Sequence, residues 1–306
     1  MSVIIVSYNA EHFLRQCLES LYETVRGIAF ETIVVDNCSS DGGIAMVKRD
    51  FPQVRVLENS TNMGFARGNN RGIALAQGEH VLLLNSDTRA IGGALGKLVD
   101  FLDTHPDVAV VAPRLVYPDL TDQCVARSFP TPANALFGRK SLLTRLFPAN
   151  RYSQRYLTSR RHTSDEPFEV DWVSGACLMA RKDVLDAAGR LDEAFFMYWE
   201  DLDLCYRVKQ RGGRIVCVPE ARVVHYEGKS SEGAVSGRCI IEFHKGVYRY
   251  YRKHHVRSAF DAMNVAAVIG LAVRAALLLG INSLKKIRHS ASGKKSKWTV
   301  NMERGH

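Results

Sequence analysis

Two groups of carboxylates, far apart along the chain, carry the chemistry this sequence could perform. The first is Asp87, in Val81-Leu82-Leu83-Leu84-Asn85-Ser86-Asp87-Thr88. Four apolar residues followed by Asn-Ser-Asp read as a buried parallel strand that delivers a carboxylate to the carboxyl edge of a sheet, where open α/β folds bind ligands. Mg²⁺ and Mn²⁺ take oxygen ligands and are held by one or two carboxylates when substrate phosphates complete the shell, so a single well-placed Asp can suffice. The same residue could instead close an Asx turn or cap a helix. The second group is Glu200, Asp201 and Asp203, which precede Leu204, Cys205 and Val208 and a Gly212-Gly213 stop, and so occupy the first turn of a helix. The helix dipole favours acids there by roughly 0.3–1 kcal/mol each without any catalytic duty. If one of them is a base, an in-line displacement needs both groups. A cation neutralises charge growing on a leaving phosphate, while a base within hydrogen-bond reach contributes about 10²–10⁴-fold.

The first ninety residues supply the frame for this chemistry. Ser2 to Asn9 is a strand, after which Phe13, Leu14, Cys17, Leu18 and Leu21 recur at helical spacing. Thr32 to Asn37 is a second buried strand ending in Asp36, with Cys38-Ser39-Ser40-Asp41-Gly42 as turn and helix start. Val54 to Asn59 is a third strand, followed by the glycine-rich run Asn62 to Gly72 and a helix through Ala76. Strand and helix alternate up to Asp87, which predicts a mostly parallel sheet covered by helices on both faces, in the α/β class. Such a fold sets Asn9, Asp36, Asn62 and Asp87 along one edge, a candidate nucleotide pocket. No Gly-x-Gly-x-x-Gly follows the first strand and no Gly-x-x-x-x-Gly-Lys-Ser/Thr occurs, which disfavours a dinucleotide oxidoreductase or a P-loop kinase. Glycines 64, 68 and 72 recur every four residues, for close helix packing or for ligand contact.

Val6-Ser7-Tyr8-Asn9, Val34-Val35-Asp36-Asn37, Asn62-Met63-Gly64-Phe65-Ala66 with Gly68-Asn69-Asn70, and Leu84-Asn85-Ser86-Asp87 together resemble the nucleotide-sugar half of inverting family 2 glycosyltransferases of the GT-A fold. Trp172-Val173-Ser174-Gly175-Ala176 and Trp199-Glu200-Asp201-Leu202-Asp203-Leu204 resemble that family's acceptor half. The runs from Asn62 and from Trp199 are similar to the rhamnosyltransferase-like branch that builds bacterial cell-surface polysaccharides.

The resemblance implies roles residue by residue. Ser7, Tyr8, Asn9 and Asp36 would hold the nucleobase, with the Asp36 carboxylate accepting from a pyrimidine N3–H. Asn62, Gly64, Asn85 and Ser86 would complete the nucleotide-sugar site. Asn85 stands where the family has the first Asp of its Asp-x-Asp element, so one charge is missing there, and Asp87 is the implied metal ligand. His225 would complete the metal site, and an imidazole leans it towards Mn²⁺ over Mg²⁺; a lone His beside apolar residues can equally be structural. Asp201 would be the base that takes the acceptor hydroxyl's proton. Trp172, Gly175, Trp199 and Glu200 would shape the acceptor or sugar pocket, although either Trp can serve as core. The implied donor is a nucleoside-diphosphate sugar, first dTDP-rhamnose, and the acceptor a lipid-linked or polysaccharide hydroxyl.

Composition bounds the setting. With 306 residues and 46% hydrophobic content, the chain can bury one large domain and an appendage. Seven cysteines without a Cys-x-x-Cys indicate reduced thiols, and a strand from the first residues leaves no room for a signal peptide, so a cytoplasmic enzyme is expected. The expected division is a catalytic domain over 1–230, with its nucleotide-sugar half to about 113 and its acceptor half from about 114, then a membrane-associating appendage over 231–306. From Arg127 to Arg161 there are eight basic residues and no acidic one. This insertion, over about 127–165, mixes cations with Phe137, Leu142 and Phe147 and would suit anionic headgroups or a diphosphate-linked lipid. The run from Ala262 to Leu284 is mostly apolar, interrupted by Asn264, Arg274 and Asn282, and precedes Lys285, Lys286 and Arg288; Arg274 disfavours a span, so an interfacial helix on the inner face of the cell membrane is expected. A helix packed on the core with a basic tail is the other reading. Rival functions are a nucleotidyltransferase, for which the Ser7-to-Glu11 turn lacks basic residues, an inert sugar-nucleotide-binding protein, and a nucleic-acid binder, for which no base-reading motif exists.

Overall fold

The computed structural model describes residues 1–123, 126–130, 146, 165–226, 237–256 and 262–291. The expected basic insertion thus lies almost wholly outside the described residues, as does the tail after 291. Two compact units divide the chain, Met1–Ser230 and Ser231–His306.

In the first unit, apolar runs become buried strands, β1 (Ser2–Ser7), β2 (Glu31–Asp36) and β4 (His80–Asn85), flanked by the partly exposed edge strand β3 (Arg55–Glu58). They alternate with α1 (Glu11–Thr24), α2 (Gly43–Asp50) and α3 (Phe65–Leu75) and pair in parallel in the order β3-β2-β1-β4. Burial on both faces explains why β1, β2 and β4 are rich in Val, Ile and Leu instead of alternating with polar residues. Two of the three spaced glycines settle into packing: a Cβ on Gly72 would stand 2.4 Å from Ile4 Cγ2, and one on Gly68 would stand 3.0 Å from Val6 Cγ1. α3 therefore sets its own backbone directly on the Ile4 and Val6 side chains of β1.

The rest of the sheet is mixed. It continues through β5 (Thr88–Ala90), α4 (Ala94–Thr104), β6 (Val108–Val116), β7 (Phe168–Glu169), β8 (Cys177–Arg181), α5 (Lys182–Ala187), α6 (Glu200–Gln210) and β9 (Arg214–His225). β8 inserts antiparallel between β4 and β6, β9 runs parallel to β6, and β5 closes the edge antiparallel to β9. β9 is the longest of these strands, twelve residues that end at His225. β9 steps out of register after Val218, where the β6 partners change from Pro113–Val218 to Arg114–Arg222, and then continues to His225. Pro113 on β6 lacks a ladder donor and sits where the pairing shifts.

The described residues of the second unit form two helices, α7 (Gly237–His255) and α8 (Ala262–Ala291). Among the described residues, no helix is long and apolar enough to cross a membrane.

Candidate functional site

The register of the parallel strands brings the expected donor residues to one edge. Ser7 pairs with Asp36, and Val6 with Asn85, so three strand ends finish side by side. The turns beyond them are locked to each other. Asn9 Oδ1 accepts from the Ser40 N–H at 2.7 Å, the Asn9 N–H donates to Ser39 Oγ at 2.9 Å, and Ser39 donates both its N–H and its hydroxyl to the Asp36 carboxylate. Asn9 and Cys38 take positive φ here, 48° and 66°, a conformation that costs non-glycine residues about 1–3 kcal/mol and collects at functional sites. Tyr8 stands 49% exposed above this floor. An ionised carboxylate has about four acceptor positions, so the Asp36 bonds to Ser39 leave capacity for a further donor.

Beside that floor lies a pair suited to a cation. β5 runs antiparallel to β9 with Thr88 opposite His225, which turns the last residue of β9 onto Asp87. The Tyr226 N–H donates to the Asp87 carbonyl at 2.9 Å and fixes the approach. His225 Nε2 then stands 3.4 Å from Asp87 Oδ1 and 3.5 Å from the Asn85 side-chain nitrogen. Gln123, buried and unforeseen from the sequence, decides the state of that imidazole. Its Nε2 lies between the His225 carbonyl, at 2.6 Å, and the Val116 carbonyl, at 3.3 Å, so this end must be the amide donor. Its Oε1 consequently faces His225 Nδ1 at 3.0 Å and must accept the Nδ1 proton. In the neutral ring, the Nε2 lone pair faces the Asn85 amide and lies beside a carboxylate oxygen. Two electron-rich atoms with no proton between them want a cation, and adjacent ligands at about 2.1 Å around an octahedral ion stand about 3 Å apart. Asp87, His225 and the Asn85 amide oxygen, after an amide flip, are therefore chemically suited to a divalent ion, whose other positions would go to phosphate and water. Among the described residues no cluster of three or more His, Cys, Asp or Glu offers a metal cage.

The second carboxylate group reaches the same edge through β8. The Asn85 N–H donates to the Ala176 carbonyl at 2.9 Å, and the neighbouring Gly175 N–H donates to Asp201 Oδ2 at 2.9 Å. Two short bonds on successive residues thus join the Asn85 strand end to Asp201. Gly175 is fitted to this role: a Cβ there would meet Asp201 Cβ and the Phe65 ring, each at 3.3 Å. Asp201 Oδ1 accepts from the Leu202 N–H at 2.8 Å as α6 begins. Burial raises the Asp201 carboxyl above its ordinary value, and the Gly175 and Leu202 N–H groups oppose that rise. Glu200 is buried with Oε2 lacking a hydrogen-bond partner; burial first, then the charges of Asp201 and Asp203, hold it well above the usual carboxylate range. Asp203 is fully buried and bonded by Arg207 Nε at 2.8 Å, a structural ion pair. The chain enters α6 strained, with Tyr198 at φ 69° and Trp199 at φ 75°.

Trp172 anchors the base of the insertion. Its ring is 8% exposed, its Nε1 donates to the Ser128 carbonyl at 3.0 Å, and the Arg127 guanidinium stands 5.0 Å over it. Trp199 is only partly buried.

The run from Asn62 makes its observed bonds to protein. Asn62 Oδ1 caps the Gly64 N–H at 3.0 Å, the Gly64 carbonyl accepts from Asn37 Nδ2 at 3.0 Å, and the Phe65 N–H donates to the Phe196 carbonyl at 2.7 Å. Asn70 pairs with the Leu191 backbone through both ends of its amide, at 2.8 and 3.1 Å, while Arg67 bonds Glu193 at 2.9 Å. Gly64, at φ 86°, has no space for a side chain, since a Cβ would stand 2.3 Å from the Phe196 carbonyl oxygen. α3 therefore straps the segment that leads into Glu200 and Asp201.

Residues 2–187 match the family model described as glycosyl transferase family 2. A curated relative, the N-acetylglucosaminyl-diphospho-decaprenol L-rhamnosyltransferase of Mycobacterium tuberculosis, is 29% identical over 267 residues, covering 83% of this chain and 85% of its own length. Among solved structures, the mannosyltransferase PcManGT of Pyrobaculum calidifontis, in complex with GDP-Man and Mn²⁺, superposes with a TM-score of 0.55 at 17% identity, covering 99% of this chain and 78% of that one. GalNAc-T7 with UDP, GalNAc and Mn²⁺ gives 0.59 at 17% identity over 82% of this chain, which spans 47% of that protein's chain. At such identities the likeness is one of fold, and that fold is GT-A.

Proposed function

The chain belongs to glycosyl transferase family 2, and from that premise we propose that it moves a sugar, with inversion, from a nucleoside-diphosphate donor to a hydroxyl of a lipid-diphosphate-linked saccharide. The observation that carries this reading is the pair of bonds through Ala176 and Gly175, which sets Asp201 beside the strand end that bears Asn85 and Asp87. Asp36 and the turns at Asn9 and Ser39 would seat the nucleobase and ribose, with the diphosphate running towards Asp87. A divalent cation held by Asp87 and His225 would neutralise the charge that grows on the leaving diphosphate. Asp201 would accept the hydroxyl proton while the acceptor oxygen bonds to the anomeric carbon and the bond from that carbon to the diphosphate oxygen breaks. The buried setting raises its proton affinity towards that of a working base, and the Gly175 and Leu202 N–H groups hold the carboxylate in place. Glu200, whose proton affinity is raised by burial and by the Asp201 charge, would line the acceptor pocket beside the base.

Donor and acceptor follow from the Mycobacterium tuberculosis relative, whose name specifies rhamnose transfer to a decaprenol-diphosphate-linked N-acetylglucosamine. dTDP-rhamnose and a polyprenyl-diphosphate saccharide are accordingly our first assignment, and such an acceptor would hold the enzyme at the inner face of the cell membrane. The test is a panel of dTDP-rhamnose, UDP-GlcNAc and GDP-mannose with Mn²⁺ or Mg²⁺ and a polyprenyl-diphosphate-GlcNAc acceptor, read by mass spectrometry. We expect one additional deoxyhexose on the lipid from dTDP-rhamnose alone. Transfer of another sugar would replace the donor assignment, and no metal-dependent consumption of any donor would overturn the reaction.

A further inference from the structure

We propose that α8 lies flat in the interface of an anionic lipid bilayer, with Val265, Ile269, Val273, Leu277 and Ile281 in the acyl boundary and the basic ends of the α7–α8 pair on the headgroups. This deepens the membrane part of the proposed function and holds whichever sugar is transferred. The starting observation is where exposed apolar side chains collect. Of thirteen large exposed hydrophobic residues among those described, seven lie on α8, with Ile269 58%, Val273 54% and Leu277 63% exposed. Between Val265 and Ile281 the described exposed positions hold only Val, Ile, Leu, Ala or Gly, apart from Arg274. The guanidinium of Arg274 lies 6.0 Å over the Phe243 ring of α7, so it is directed to that side. Asn264 is buried, and Leu279 approaches Gly237 of α7, where a Cβ would meet it at 3.4 Å. Polar groups are thus gathered towards the partner helix, and the opposite side is an apolar strip about 24 Å long. Monomeric soluble proteins rarely present a contiguous patch of that kind without a use for it.

Charge selects the occupant. Arg249, Arg252 and Lys253 close one end of the pair, the sequence sets Lys285, Lys286 and Arg288 at the other, and α8 contains no acidic residue. Residues 231–306 hold 14 Lys and Arg against four Asp and Glu, a balance of +10 beside +9 for the whole chain, so the first 230 residues are close to neutral. A second copy docked on this face would bring basic ends together in either orientation. An anionic bilayer offers apolar depth between two charged boundaries, which is the environment of an in-plane amphipathic helix.

The experiment is co-sedimentation of the full chain with vesicles of phosphatidylglycerol and phosphatidylcholine, and of phosphatidylcholine alone. Two variants accompany it, Ile269→Asp with Leu277→Asp, and Lys285→Gln with Lys286→Gln and Arg288→Gln. We expect binding to the anionic vesicles, about tenfold or more weaker binding to neutral ones, and a loss of about tenfold or more in each variant. Helicity by circular dichroism and hydrolysis of the donor by water should be unchanged in both, which separates this inference from the transfer reaction. Vesicle binding by the Asp variant equal to wild type, or none by wild type, would overturn the proposal. So would a concentration-dependent dimer in light scattering that the Asp variant abolishes, since the face would then belong to a second copy.

Discussion

The Asp87 end and the Asp201 end of this sheet edge are built by different means. At the Asp87 end, position comes from regular sheet register: β1, β2 and β4 finish in line, and β5 on β9 delivers His225. At the Asp201 end, the carboxylate follows two residues at positive φ and hangs on a segment that α3 must hold through Asn70 and the backbone at Phe196. The first end follows from strand register, whereas the second hangs on contacts that α3 makes to an irregular segment. Substitutions in the strap should therefore act on the base end and spare the cation end.

The largest effect is expected at Gly64. Gly64→Ala places a side chain at φ 86° and 2.3 Å from a carbonyl oxygen, and should lower the unfolding free energy by about 2–4 kcal/mol in urea titrations. An unchanged midpoint would mean that α3 does not brace the Phe196 segment. Next comes Gln123→Met, which keeps the volume but frees the imidazole. Mn²⁺ affinity in the presence of nucleoside diphosphate should fall about 10–100-fold by calorimetry, as for other partners that orient a ligating His. Independently of any metal, ¹⁵N spectra of His225 should show the Nδ1–H tautomer in wild type and a mixture in the variant.

Asn70→Ala removes a two-ended bond to Leu191 and should cost about 1–2 kcal/mol, with kcat falling more than donor affinity. Equal losses in both would place its influence at the donor site instead. The smallest expected effect is the pH dependence set by Glu200. Its folded-state proton affinity is raised above the ordinary value of 4.5, so its stabilising contribution is complete below that value and is lost as pH rises through the elevated one. Glu200→Gln keeps the neutral shape, and its melting temperature relative to wild type should climb steadily as pH is raised. A difference independent of pH would mean that Glu200 is already ionised in the fold.

The contrast between the two ends also explains what could be read beforehand. Buried runs such as Val81 to Leu84 announce a parallel strand because covering both faces demands continuous apolar side chains, and a carboxylate just after such a run falls at the ligand edge by topology. Asp36, Asn85 and Asp87 were legible for that reason. Gln123 was not, because its meaning lies in a bond to a histidine 102 positions away. The antiparallel insertion of β8 was hidden as well, since Cys177 to Arg181 are as buried as any parallel strand and carry no mark of direction. Gly64 and Asn70 could be seen as a motif, but spacing alone does not distinguish a loop that binds a ligand from one that bonds Leu191 and Phe196. In α8 the polar interruptions at Asn264 and Arg274 were visible, while their turn towards α7 emerges only from the helix pair.

The central claim is a division of labour between Asp87 and Asp201, and the most direct measurement compares Asp87→Asn with Asp201→Asn for donor binding with and without Mn²⁺, alongside transfer. Asp201→Asn should bind donor and Mn²⁺ like wild type yet transfer at least about 10²-fold more slowly, and Asp87→Asn should lose the Mn²⁺-dependent part of donor binding. Near-normal transfer by Asp201→Asn, or the same loss of Mn²⁺-dependent binding in both variants, would contradict the account.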